Sequence, residues 1–152
     1  MTGVDRVVLD ANALLAPGRS GVDVFDEIER LLGAVELVVP AAVVRELRGL
    51  ANDDPDAALG LEMAEDRCTV VRPEDGRDGE GPSAGAADDV IVAMAAEAGA
   101  GGDGGDDGHD TEDEGARLAV VTNDAALRDR LHGVGVPVLF LRQERHLEIS
   151  YP

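Results

Sequence analysis

The sequence predicts an α/β protein: a three-layer α/β/α domain around a central, mostly parallel sheet of about five strands. Short continuous apolar runs alternate with stretches whose apolar residues recur at helical spacing. Those runs lack the in-and-out alternation of a half-exposed sheet, as expected of parallel strands buried on both faces. A chain of 152 residues suits one domain with a full core.

Residues 4–10 read as the first buried strand. Ser20 is placed to cap a helix through about Leu32, with Val24, Phe25, Ile28, Leu31 and Leu32 on its apolar side. Val35 to Val39 form a second strand ended by Pro40, and Val43, Val44, Leu47 and Leu50 mark the next helix. After a turn at Asn52–Pro55, Ala57 to Asp66 reads as helix and Cys68 to Val71 as a short strand. Residues 72–85 read as loop, and Ala86 to Ala98 as a helix burying Ile91, Met94, Ala95 and Ala98. Arg117 to Asn123 is a strand, Asp124 to Leu131 a helix and Val136 to Leu141 the last core strand, with a short edge strand at Leu147 to Ile149. Residues 1–152 thus form one domain, interrupted at 99–116 by a Gly-rich, acidic, low-complexity insertion holding seven acidic residues.

The net charge of −19 coexists with 44% hydrophobic residues in clean blocks, so folding is expected rather than disorder. The acidity fits a halophilic protein, because at ~1 M salt the Debye length is only about 3 Å. All 13 basic residues are Arg. Without Lys there is no phosphate-binding P-loop and no kinase-type site. Dehalogenase-type phosphatase and receiver chemistry, which set a Lys beside an Asp cluster, are disfavoured too. The single Cys68 excludes a disulfide framework or zinc cluster and reads as an inert strand cysteine. Met1 to Arg6 carries no basic-then-apolar signal, and no run approaches ~20 apolar residues, so a cytoplasmic protein without membrane contact is expected.

Asp10 closes the first strand and Asp124 follows the fourth. In an open parallel sheet, ligands bind outside the carboxyl ends of the strands. Either Asp alone is equally a turn or helix-capping residue. Asp88 and Asp89 open a helix, where carboxylates commonly satisfy free amides. Asp88 precedes Ile91 by three and Ala95 by seven, so it shares the buried face, and Asp89 ranks as its adjunct. Asn12 is a polar adjunct of Asp10. Glu46 between Arg45 and Arg48 reads alone as a surface residue. Gathered carboxylates repel and raise one another's pKa, a cost that hard divalent cations offset. Two such ions about 3.5–4 Å apart can activate water and stabilise the leaving oxygen of a phosphodiester.

Six segments in order, VVLDANALL, GVDVFDEIERLL, ELVVPAAVVREL, ADDVIVAMAAEAG, VVTNDAALRDRL and PVLFLRQERHLEI, resemble a PIN-domain ribonuclease. The likeness is most of all to archaeal relatives of the PIN endonuclease of the small-subunit processome, which cuts precursor ribosomal RNA. It covers the chain except residues 72–85 and 99–116. It implies a PIN-like fold, Mg²⁺- or Mn²⁺-dependent endonuclease activity, and metal-binding acids at Asp10, Glu46, Asp88 and Asp124. Glu46 is promoted by the resemblance alone. The long insertion departs from the short connection usual in such domains. RNA, ribosomal precursor above all, and ribosome-assembly factors are the expected partners, with a homodimer left open.

Such an acidic chain should repel RNA, but charge is uneven. Residues 117–152 hold five Arg against four acids. Arg128, Arg130, Arg142 and Arg145 are the candidates to grip phosphate in bidentate fashion. Three aromatics, Phe25, Phe140 and Tyr151, are too few for a base-stacking platform. The leading expectation is a ribonuclease of ribosomal RNA maturation. Its alternatives are a toxin-type PIN ribonuclease of a toxin–antitoxin pair, and a PIN-fold module binding RNA or assembly factors without cutting.

Overall fold

The computed structural model describes residues 4–72, 85–103, 117–143 and 145–152. Six strands form one sheet: β1 (Arg6–Leu9), β2 (Glu36–Pro40), β3 (Thr69–Val71), β4 (Leu118–Val121), β5 (Val138–Arg142) and β6 (His146–Ser150). Their order is β3-β2-β1-β4-β5-β6. Five are parallel, and β6 adds an antiparallel edge. Among the described residues six helices flank the sheet: α1 (Ala11–Ser20), α2 (Val24–Leu32), α3 (Ala41–Ala51), α4 (Pro55–Arg67), α5 (Gly85–Asp103) and α6 (Ala125–Gly133).

The chain moves outward from β1 through β2 to β3, then returns to β4 on the other side of β1. Right-handed crossovers put helices made on the outward and return paths on opposite faces. In the packing, α1 lies against α4 and α2, and α5 lies against α6, with α3 also meeting α5. Val7, Val8 and Leu9 of β1 and Ala119 and Val120 of β4 are fully buried between these layers.

Two local expectations are corrected. Ser20 ends α1 instead of capping the next helix. Asp23 caps α2, its carboxylate accepting from the amides of Phe25 and Asp26 at 3.0 and 3.1 Å. The first helix of the fold, α1, covers residues in which Pro17 and Gly18 disfavour helix. Proline removes an amide and crowds the preceding turn. Burial of Ala13, Leu14, Leu15 and Ala16 outweighs that penalty. The 99–116 insertion begins within α5, which runs on to Asp103; its remaining residues, with His109, lie outside the described ones.

Gly60 lets α1 and α4 approach closely, because a Cβ there would overlap the Leu14 carbonyl oxygen. Gly49 of α3 faces open space. Gly60→Ala should therefore lower stability by about 1–3 kcal/mol through overpacking. Gly49→Ala should raise it by about 0.5–1 kcal/mol through helix propensity. Paired denaturant unfolding reads both; equal effects would contradict the packing of α4 on α1.

At the sheet edge, α2 closes β6. Glu27 accepts the Leu147 amide at 3.0 Å, and Arg30 donates to the Leu147 carbonyl at 3.3 Å. These bonds occupy edge groups that would otherwise template pairing with another chain. Arg30, which also donates to Glu27 Oε1 at 2.7 Å, and then the Leu147 amide hold the Glu27 carboxyl below its usual range.

Candidate active site

The chain reverses direction across the sheet between β1 and β4. The crevice at their carboxyl ends is where such folds place ligands. Asp10 follows β1 directly and Asp124 comes three residues after β4. Glu46 lies in α3 and Asp88 in the first turn of α5.

Asp10 is only 5% exposed. Its Oδ1 caps α1 by accepting the Ala13 amide at 2.8 Å. Burial pushes its carboxyl up to about 7; hydrogen bonds from the Thr122 hydroxyl and the Ala13 amide oppose this, and Asp88 and Asp124 add to it. Asp124 caps α6, accepting the Leu127 amide at 3.1 Å. Its own amide donates to Thr122 Oγ1 at 3.1 Å. Thr122, fully buried, thus joins the two strand-end acids.

Asp88 is half-buried, and its carboxyl is raised by desolvation and then by Asp124, with Arg130 opposing and Asp89 adding. Glu46 is raised by desolvation and then by Asp88. Because Glu46 is exposed, the second cause is the informative one: it puts Glu46 within electrostatic reach of Asp88. Asp10 feels Asp88 and Asp124, Asp88 feels Asp124, and Glu46 feels Asp88. The four acids therefore form one connected field. Among the described residues they do not close on a point as a finished metal cage. The donor set still fits a hard divalent ion that keeps several waters: all oxygen, with one carboxylate buried and no cation against it.

The other expected residues lie around this field. Asn12 is exposed in the first turn of α1. Asp89 is largely exposed and pairs with Arg130 at 3.1 Å, so it holds an arginine beside the acids instead of facing them. Arg128 stacks on Phe140, 5.8 Å from the ring centre. Arg142 pairs with Glu148 at 3.2 Å, and Arg145 is exposed in the turn that follows. Exposed pairs of this kind contribute little to stability. Cys68 is pushed up to about 11 by burial, as suits an inert thiol. The sequence reading missed Thr122; its signal was a hydroxyl residue ending an apolar strand two positions before Asp124.

A family model described as a PIN like domain matches residues 7–144. The chain belongs to the PIN-like domain family. Its fold is similar to that of the PIN domain endonuclease Utp24, with a TM-score of 0.70 at 18% identity over 97% of this chain and 92% of that one. It is also similar to a domain of a functionally unknown protein from Methanocaldococcus jannaschii, with a TM-score of 0.53 at 22% identity over 91% and 92% of the two chains. No curated protein matches. At these identities the structural likeness speaks for the nuclease fold alone. No helix among the described residues of this PIN domain is long and apolar enough to cross a membrane.

Proposed function

We propose that this PIN domain is a divalent-metal-dependent endoribonuclease acting on ribosomal precursor RNA. The observation that carries the proposal is the meeting of Asp10 and Asp124 at the carboxyl ends of the neighbouring strands β1 and β4, with Asp88 and, through it, Glu46 within electrostatic reach. Mg²⁺ or Mn²⁺ held there would supply an activated water and stabilise the leaving oxygen of a phosphodiester. Asp10 forms the buried floor, with its orientation fixed by Ala13 and Thr122. Asp124 is fixed through the same Thr122 hydroxyl. Asp88 and Glu46 approach from the helices and complete the negative field. Arg130, paired with Asp89, offsets part of the charge at Asp88, while the remaining negative field suits a divalent cation.

RNA is held by phosphate contacts from Arg128, Arg130, Arg142 and Arg145 on α6 and the β5–β6 hairpin. The charge of −19 requires that grip to be local and geometric, since general attraction is absent. Arg142→Ala and Arg145→Ala should each weaken binding of labelled ribosomal precursor RNA by roughly 5–20-fold in molar KCl. Fluorescence anisotropy with Ca²⁺ in place of Mg²⁺ measures this without cleavage. Unchanged affinity in both variants would remove the hairpin from the RNA path. Metal-dependent cutting by the wild type tests the activity itself.

A further inference from the structure

Asn123 sits between Thr122 and Asp124 and is exposed, yet both ends of its carboxamide are engaged. Its Oδ1 accepts the Leu141 amide at 2.8 Å, and its Nδ2 donates to the Leu141 carbonyl at 3.3 Å. The backbone ladder between β4 and β5 stops just before this point: its last rung is the Thr122 amide to the Leu139 carbonyl at 3.0 Å. Beyond it the chain leaves the sheet, because Asp124 starts α6. β5 continues, with Leu141 presenting its amide and carbonyl toward the vacated side. The Asn123 carboxamide has the same donor and acceptor as a peptide group and replaces the missing rung.

On its other side β5 pairs with β6, setting Leu141 against Leu147 and Arg142 against His146. The hairpin turn is strained, since Gln143 has φ 55°. It is closed by the Arg145 amide donating to the Arg142 carbonyl at 3.1 Å. The Asn123 side chain thus extends the tie between the acid-bearing end of β4 and the hairpin carrying Arg142 and Arg145 beyond the backbone ladder.

We infer that Asn123 is a positioning residue that sets the distance between the acids and the arginines of the β5–β6 hairpin, and so governs how RNA is seated. The inference rests on the proposed nuclease reading. It excludes a role for Asn123 as a metal-facing adjunct, since its oxygen is already occupied.

The test compares wild type, Asn123→Ala and Asn123→Asp. Both variants should raise KM for labelled precursor RNA by roughly 5–10-fold, with kcat and Mn²⁺ affinity within about twofold of wild type. Hydrogen exchange at the Leu141 amide should quicken in Asn123→Ala. Combined with Arg142→Ala, the Asn123→Ala change should add less than its separate effect, because both act through one hairpin. A general loss of structure would instead lower the active fraction, and so the apparent kcat, with KM unchanged. Unaltered KM in both variants, or tighter Mn²⁺ binding with normal KM in Asn123→Asp, overturns the inference. If the wild type binds RNA without cutting it, the nuclease reading falls, and the dissociation constant in Ca²⁺ takes the place of KM in the same comparison.

Discussion

Asp10→Asn should make the metal-free protein more stable than the wild type, by on the order of 2–4 kcal/mol above about pH 7. The cause is burial: the Asp10 carboxyl, ordinarily ionised above 3.8, is pushed up to about 7. Between these values the folded state binds more protons than the unfolded state. Stability contributed by this site is therefore present at low pH and lost as pH rises toward 7, after which the loss is constant. Asparagine removes that slope while keeping the cap, because its side-chain oxygen still accepts the Ala13 amide. Groups whose carboxyls are held low by partners, such as Glu27 and Glu148, are common to both proteins and cancel in the difference. The variant should also lose the stabilisation that divalent cations give the wild type. Chemical denaturation with chelator and with Mn²⁺, from about pH 5 to pH 8, reads both effects. A destabilised variant that still responds to Mn²⁺ would show that Asp10 is a structural cap only. Such a gain on removing a functional group is the usual mark of a site where stability is sacrificed for chemistry.

Mn²⁺ affinity should fall about tenfold for each pH unit below 7 and level off above it. Binding requires ionised ligands, and below its raised pKa Asp10 must first release a proton. Asp88 and Glu46 are shifted in the same direction and steepen the fall at lower pH. Titration calorimetry in buffers of different ionisation enthalpy measures the proton directly. About one proton should leave per binding event near pH 6 and almost none near pH 8. An affinity independent of pH, with no proton released, would mean that Asp10 does not contact the ion. Binding should survive molar KCl, because a buried carboxylate is screened far less than exposed ones.

Asp10 and Asp124 could be located from sequence because parallel strands end on one side of the sheet and each acid follows an apolar run. Helical spacing also separated Asp88 from Asp89. Ile91 and Ala95, three and seven residues after Asp88, are fully buried, Asp88 is half-buried and Asp89 is exposed. Glu46 was different. Its helix was plain, but nothing local distinguishes it from a solvated glutamate, and only its long-range proximity to Asp88 does so. Thr122 and Asn123 read as strand residues, since their importance lies in partners at Asp10 and Leu141 that no local pattern reveals. α1 was obscured by Pro17 and Gly18, whose propensities are overridden by contacts with α4, tens of residues away. The arginine partners, Asp89 for Arg130 and Glu148 for Arg142, are likewise products of packing.

Cleavage of labelled ribosomal precursor RNA in molar KCl, by wild type and Asp10→Asn side by side, with Mg²⁺, with Mn²⁺ and with chelator, tests the central claim most directly. Cutting by the wild type that requires the metal and falls by about a thousandfold or more in Asp10→Asn is the predicted result. Equal cutting by both proteins, or none by the wild type with its fold intact, would contradict a metal-dependent nuclease built on these four acids.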